Sequence, residues 1–112
     1  MQGLDVNVLF LLNIRTQLPG EWSPEQRADM LQREFTAGVK LMEQRVILRM
    51  FRVVGQLANF SVWQTASLED LHAVLQSLPL FAFMTITVIP VIKHPVEEAY
   101  EREHGPIEAF VS

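Results

Sequence analysis

The sequence predicts an α+β fold of the ferredoxin-like βαββαβ type, with a four-stranded antiparallel sheet and two helices on one face. Three observations support this prediction. The 112 residues suffice for one domain, and 49% of them are hydrophobic, which is enough for a core. Two segments with helix-capping residues alternate with segments of strand-like composition. Two of the strand-like segments are separated by a short turn that contains glycine.

The first strand and the first helix are predicted within the first 44 residues. Residues 5–17 are rich in Val, Leu, Ile and Phe at both odd and even positions, which is typical of a strand covered on both faces. The segment Ser23-Pro24-Glu25-Gln26 offers an N-cap, a proline at the first helical position and a glutamine for a capping box. Helix 1 is therefore expected from Pro24 to about Gln44. The expected core-facing stripe is Ala28, Leu31, Phe35, Val39 and Met42, with Gly38 allowing a close approach.

Strands 2 and 3 are predicted at residues 46–54 and 57–65, joined by Gly55-Gln56 as a two-residue type II′ turn. That turn pairs Arg52 with Asn59 and places Ser61 on the same face. Arg52 would then clamp a substrate carboxylate while Asn59 donates to a carbonyl group, because arginine offers paired planar donors. The alternative is that the three side chains satisfy one another or the backbone of another subunit.

The second helix and the fourth strand complete the predicted sheet. Ser67 is expected to cap helix 2, which Pro79 ends. Strand 4 is expected from about Phe83 to Lys93, with an edge position or a bulge at Pro90 because proline cannot donate a ladder hydrogen bond. The inward face of helix 2 is predicted to be Leu68, Leu71, Leu75 and Leu78.

One face of this sheet is expected to be buried by a second subunit. Strand 1 is apolar on both sides, and one side of strand 2 would carry Ile47, Phe51 and Val53. Packing two sheets face to face in a dimer would bury this surface. Residues 1–95 are thus predicted to form the domain, and residues 96–112 a C-terminal arm that packs on a neighbouring subunit.

Charge and composition exclude several classes of partner. The 9 basic and 13 acidic residues give a net charge of −4, so neither nucleic acid nor an anionic membrane is an expected partner. Cysteine is absent, which removes disulfides, thiolate metal sites and cysteine nucleophiles. The spacing of the three histidines gives no sign of a metal site, and no segment resembles a signal peptide or a membrane span. We therefore expect a cytoplasmic protein.

Several spaced motifs of the chain match those of a known family. The hairpin reads Val-Val-Gly-Gln-Leu-Ala-Asn-Phe-Ser-Val-Trp over residues 53–63. Leu71-His72 precedes Leu-Pro-Leu-Phe-Ala-Phe-Met at residues 78–84, while Leu18-Pro19 and His94-Pro95 match the end of the first strand and the close of the domain. Over residues 8–95 the sequence therefore resembles the bacterial muconolactone isomerases.

This resemblance implies a cofactor-independent isomerase that moves a C=C bond in an unsaturated lactone such as muconolactone, in the β-ketoadipate pathway of aromatic catabolism. It also implies a homo-oligomer, at least a dimer and decameric in characterised relatives. In the reaction, a proton leaves the ring carbon that bears the lactone oxygen, and a proton is delivered to a carbon of the ring double bond. Such chemistry needs a base of raised pKa, a cation for the carboxylate and a donor for the developing dienolate oxygen.

The resemblance also suggests roles for particular residues. Glu34 matches a glutamate in the family's first helix and is the candidate general base, the alternative being a rim glutamate paired with Arg27 or Arg45. His72 matches the Leu-His pair and is a second catalytic candidate, although a histidine packed in the leucine face of helix 2 is the simpler interpretation. Independently of the resemblance, Arg49 is a candidate for anion binding or an ordinary surface charge.

Leu31 and Phe35 replace lysines that the family commonly carries on either side of this glutamate. Both are candidates for contact with the substrate. Their apolar character favours an alternative function, a tailoring isomerase or cyclase acting on a bulkier and more apolar molecule. A further alternative is an oligomer on the same fold that binds a small molecule without converting it, because this fold hosts many functions.

Overall fold

The structure is a computed structural model that describes residues 7–107. Its sheet is antiparallel with strand order β2-β3-β1-β4, which confirms the predicted ferredoxin-like βαββαβ arrangement. A 3₁₀ turn at Phe81–Phe83 precedes the last strand. The elements in chain order are β1 (Val8–Thr16), α1 (Pro24–Glu43), β2 (Ile47–Arg52), β3 (Ala58–Thr65), α2 (Leu68–Gln76), β4 (Met84–Val91) and α3 (Pro95–His104).

The predicted start of α1 is confirmed in detail. Ser23 Oγ accepts a hydrogen bond from Gln26 N–H at 3.1 Å, and Gln26 Oε1 accepts one from Ser23 N–H at 2.8 Å. This reciprocal capping box satisfies two backbone donors that a helix otherwise leaves without partners. The helix ends at Glu43, and Arg45 then takes a left-handed φ of 63° that turns the chain into β2.

The orientation of α1 differs from the predicted one. Phe35 and Val39, expected to face the core, have 68% and 44% of their surface exposed, whereas Ala37 and Leu41 pack against the core cluster. The four larger residues of the predicted stripe line a cavity instead, whereas Ala28 is exposed outside it. Hydrophobicity alone does not distinguish a residue that fills a core from one that lines a cavity, which is why the predicted stripe is wrong.

The core lies between the sheet and the two helices α1 and α2. Leu68 is 59% exposed, so the predicted inward face of α2 is wrong at its first position, while the remaining three leucines are buried. Leu78 follows the end of the helix rather than lying within it. The buried cluster consists of Phe10, Leu12, Ile14, Ile47, Trp63, Leu71, Leu75 and Leu78.

The register of the β2–β3 hairpin is as predicted, but its turn is not. Arg52 pairs with Asn59, and Met50 pairs with Ser61. The strands are joined by a longer loop than expected, closed by a 3.1 Å hydrogen bond from Gln56 N–H to Val53 O. Gly55 has φ of 80°, the value that the third residue of a type II turn requires.

The side of the sheet that faces away from the helices is here called the open face. A register shift between Ile47 and Arg49 places Ile47 in the core but Phe51 on the open face, so the expectation that both share a side is wrong. Strand β4 lies at an edge of the sheet, which agrees with the edge position expected from Pro90. Hydrophobic residues of the open face include Leu9, Leu11, Phe51, Phe60, Val62 and Ile89.

The predicted C-terminal arm contains a helix, α3. His94 Nδ1 accepts a hydrogen bond from Val96 N–H at 3.0 Å and so caps it, and Lys93 Nζ lies 2.6 Å from Glu101 Oε1. Val96 and Tyr100 are 69% and 52% exposed. Packing of the arm on a neighbouring subunit stays a prediction, and the described part ends at residue 107. Between residues 7 and 107, no helix has the length and apolarity needed to cross a membrane.

The orientation of α2 can be tested by substituting two of its leucines, one buried and one exposed. Leu71 is 1% exposed and Leu68 is 59% exposed. Replacing Leu71 by Ala should lower the free energy of unfolding by about 2–5 kcal/mol, because the change removes buried methyl groups and leaves a cavity. Leu68→Ala should change it by less than about 0.5 kcal/mol. Urea unfolding of both variants checks this, and equal losses would contradict the orientation of α2.

Candidate active site

A cavity of about 720 Å³ lies between α1 and the helix-facing side of the sheet, beside the β2–β3 hairpin. Its volume is within the range of small-molecule sites. Five of the candidate residues line it, and they come from α1, β2 and β3: Leu31, Glu34, Phe35, Arg52 and Asn59. The structure therefore places the predicted carboxylate, guanidinium and amide groups around one cavity.

Glu34 is half-buried at the wall of this cavity. Its Oε1 accepts a hydrogen bond from Leu80 N–H at 3.0 Å. Burial raises the pKa of the Glu34 carboxyl above its ordinary value, and the Leu80 hydrogen bond opposes that shift only in part. Arg27 donates instead to Pro19 O at 3.5 Å, and no ion pair to Glu34 occurs within residues 7–107. In the described part of the chain, the carboxylate is thus held by a backbone amide and not by an ion pair.

Arg52 and Asn59 lie opposite each other on the helix-facing side of the hairpin. Arg52 Nη1 is 3.4 Å from Gln56 O, so the guanidinium is tethered to the hairpin turn and still presents further N–H donors. Asn59 Oδ1 accepts from Ser61 Oγ at 2.9 Å. The two side chains provide a cation and an amide at one end of the cavity.

Ser61 does not have the position expected for substrate contact. It is 0% exposed and lies behind the cavity wall, and its Oγ accepts a 2.7 Å hydrogen bond from Trp63 Nε1. Of the two roles considered for this face, Ser61 therefore fits that of a buried group satisfied by its neighbours. Trp63 itself lines the cavity.

The two remaining candidates lie outside the cavity wall. His72 is exposed on α2, one residue away from the buried Leu71, so the expectation that it packs within the leucine face is wrong. Arg49 pairs with Val62 on the open face, and its guanidinium carbon is 5.0 Å from the centroid of the Phe51 ring. Neither placement brings the side chain to Glu34.

Two features of the cavity have little or no signal in the sequence. The Leu80 N–H is a backbone donor, which every residue except proline carries, so only the folded chain shows that it meets Glu34. Val39 and Met42 belonged to the expected core stripe, yet they line the cavity. The sequence signal for Val39 and Met42 was their helical spacing with Leu31 and Phe35, which places the four side chains on one side of α1. Within residues 7–107, no three His, Asp or Glu side chains are grouped as metal ligands.

A half-buried carboxylate that has no ion pair within residues 7–107 and faces an apolar cavity on a ferredoxin-like sheet defines a class of α+β domain equipped for acid–base chemistry. The family model for muconolactone delta-isomerase matches residues 8–97 of the chain. The chain belongs to the muconolactone delta-isomerase family and is an enzyme of the isomerase class.

Similarity to individual proteins supports this assignment. The chain is 35% identical over 88 residues to the muconolactone delta-isomerase of Cupriavidus pinatubonensis, a match that covers 79% of this chain and 96% of that protein. It is 30% identical over 86 residues to the enzyme of Rhodococcus opacus, covering 77% and 92%. A crystal structure of muconolactone isomerase superimposes with a TM-score of 0.72 at 31% identity, covering 78% of this chain and 91% of that one.

The environment of Glu34 predicts how its carboxyl group titrates. Burial opposes ionisation more strongly than the Leu80 hydrogen bond favours it. The ¹³Cδ resonance of Glu34 should therefore titrate at a higher pH in the folded protein than in the same protein unfolded in urea. A midpoint that is equal or lower in the folded protein would show that the backbone hydrogen bond dominates.

Proposed function

We propose that the chain isomerises an unsaturated lactone such as muconolactone, moving the ring C=C bond by proton transfer through Glu34. The observation that carries this proposal is the Glu34 carboxyl group, half-buried in the same cavity wall as Arg52 and Asn59, with its pKa raised by burial. A base in the wall of an apolar cavity is the group that proton abstraction next to a conjugated carbonyl requires. Protein side chains can supply every proton-transfer step of this reaction.

The proposed reaction has two steps. Glu34 takes a proton from the ring carbon that bears the lactone oxygen, and the electron pair of that C–H bond moves through the ring to give a dienolate. The protonated Glu34 then delivers a proton to the ring carbon next to the carbonyl group, where the double bond ended. The product is an isomer of the substrate, and the carboxylate is regenerated.

The contacts of Glu34 suit both steps. Leu80 N–H occupies Oε1, which leaves Oε2 for proton transfer. Because burial raises the pKa, the carboxylate is a stronger base than an exposed glutamate, and its conjugate acid remains able to return the proton. Arg52 would hold the substrate carboxylate and Asn59 would donate to the lactone carbonyl oxygen, where negative charge develops.

Replacing Glu34 by Gln tests the proposed base. The amide keeps the size of the side chain and can still accept from Leu80 N–H, but it cannot take up a proton. Turnover of muconolactone, followed by proton NMR in deuterated water, should fall by about 10²–10⁴-fold. Glu43→Gln is the matched control, because Glu43 lies exposed at the end of the same helix, and it should leave the rate unchanged.

The pH dependence of the rate gives a second test of the proposed base. For the wild-type protein, kcat/KM should rise with pH through the raised pKa of Glu34, because only the ionised form abstracts a proton. An unchanged rate in Glu34→Gln would rule out this base. Binding of the lactone without any conversion by the wild-type protein would instead support the non-catalytic alternative.

A second candidate is an isomerase for a bulkier and more apolar substrate. The α1 side of the cavity carries Leu31, Phe35, Val39 and Met42, which are 37%, 68%, 44% and 39% exposed. Muconolactone, a single small ring with a short acid side chain, offers little surface to these residues. A hydrophobic substituent on the ring would cover them, while Arg52 and Asn59 hold the polar end.

This candidate predicts a substrate preference. Comparing kcat/KM for muconolactone and for an alkyl-substituted homologue measures it. A propyl group on the ring carbon that neither loses nor gains a proton should raise kcat/KM by up to about fourfold per added carbon, since each buried CH₂ contributes about 0.8 kcal/mol. Phe35→Ala should remove much of that gain, whereas Val54→Ala, at a hairpin tip that is 93% exposed, should keep it. A substituted lactone that reacts more slowly than muconolactone would favour the first candidate.

Self-association and location are also part of the proposal. The open face carries Phe51, Phe60 and Ile89 at 40%, 47% and 48% exposure, and a second copy of the chain would cover these side chains as a face-to-face sheet dimer. The absence of cysteine fits a cytoplasmic location, which we propose for the enzyme.

A further inference from the structure

Three side chains of β3 form a chain of hydrogen bonds that ends at the cavity. Trp63 Nε1 donates to Ser61 Oγ at 2.7 Å, and Ser61 Oγ donates to Asn59 Oδ1 at 2.9 Å. The residues alternate along the strand and therefore share its helix-facing side. Trp63 and Ser61 are 1% and 0% exposed, whereas Asn59 is half-buried and lines the cavity.

The direction of this chain is fixed by the chemistry of its first member. An indole N–H is a donor only, so the Ser61 oxygen accepts from Trp63 and its proton must go elsewhere. Asn59 Oδ1 is within reach and accepts it. If the amide were reversed, its NH₂ group would face Ser61 Oγ, and the fully buried Ser61 hydroxyl proton would lose Asn59 Oδ1 as its acceptor.

The backbone at Asn59 is held as well as its side chain. Asn13 Nδ2 donates to Asn59 O at 3.2 Å, and the residue pairs with Ile14 on one side and Arg52 on the other. With Oδ1 facing Ser61, the amide nitrogen Nδ2 is the end of the side chain left for a ligand. Among residues 7–107, no group accepts a hydrogen bond from it.

We propose that Ser61 and Trp63 are positioning residues that orient the Asn59 amide so that Nδ2–H donates to the lactone carbonyl oxygen as charge develops on it. This inference rests on the proposed function. A donor fixed before the reaction stabilises the dienolate without having to reorient during the step. The chain of donors also polarises the Asn59 amide, which strengthens donation from Nδ2.

A double-mutant cycle between Ser61 and Asn59 tests the inference. Asn59→Ala should lower kcat for muconolactone by about 10²–10³-fold, the usual effect of losing one oxyanion donor. Ser61→Ala should lower kcat roughly tenfold with little change in KM, because the amide is then free to reverse. In the Asn59→Ala background, Ser61→Ala should cause no further loss, since the group through which it acts is gone.

Trp63→Phe removes the indole N–H and should lower kcat by less than Ser61→Ala does. In the Asn59→Ala background, Trp63→Phe should cause no further loss of kcat. Thr65→Val is the matched control. Thr65 is a buried hydroxyl residue on the same side of the same strand, but its Oγ1 donates to Ser67 O at 2.7 Å, away from Asn59. Equal fold-losses from Ser61→Ala in both backgrounds, or no loss in the wild-type background, would overturn the inference.

A binding measurement separates this inference from the proposed reaction. The saturated analogue of muconolactone has no C=C bond and cannot be isomerised, but it keeps the carboxylate and the lactone carbonyl. In the wild-type protein it should shift the Asn59 Nδ2–H resonances in a ¹⁵N-resolved NMR titration, and Ser61→Ala should reduce that shift. If these NMR shifts were observed but the Glu34→Gln variant were fully active, the proposed base would be rejected and the inference about Ser61 and Trp63 would stand. No shift of the Nδ2–H resonances in the wild-type protein would overturn the inference.

Discussion

The register of β2 against β3 determines which side chains reach the cavity. Side chains alternate between the two faces of a strand, so a slip of one residue would move Asn59, Ser61 and Trp63 together to the open face. The register shift between Ile47 and Arg49 changes which side chains of β2 face the helices. It allows Ile47 to enter the core while Arg52 still lies opposite Asn59. The core and the polar end of the cavity therefore depend on the register of β3 with its two neighbours, β1 and β2.

Local signals account for what the sequence predicts well. The Ser23–Gln26 capping box and the pairing of Arg52 with Asn59 each depend on a few adjacent residues, and both are present in the structure. The orientation of α1 was not predictable in this way, because apolar residues that line a cavity have the same helical spacing as residues that fill a core. The contact of Leu80 N–H with Glu34 joins positions 46 residues apart, and a backbone amide leaves no trace in the sequence.

The burial that suits Glu34 to its proposed role as a base opposes folding at neutral pH. Glu34 is half-buried and has no ion pair among residues 7–107, so its ionised form costs folding free energy, which the hydrogen bond from Leu80 N–H offsets in part. Because the folded-state pKa is raised, this cost is absent while the group is protonated in both states and appears as the pH rises through the folded-state pKa. An amide at this position would relieve the cost, which is a common relation between stability and activity at catalytic sites.

Polar and apolar side chains line different sides of the cavity, and this arrangement bears on which substrate the site accepts. Arg52, Asn59 and Glu34 lie toward the hairpin and the Leu80 segment, whereas Phe35, with its neighbours on α1, forms an apolar side. Polar groups that are aligned before binding favour a transition state over a ground state, but an apolar surface stabilises both equally. Changes at the apolar positions of α1 should therefore alter which lactone binds, and changes at Glu34 or along β3 should alter how fast it reacts. A family that keeps Glu34 and the β3 groups and varies the apolar residues of α1 can thus shift substrate without losing the proton-transfer chemistry.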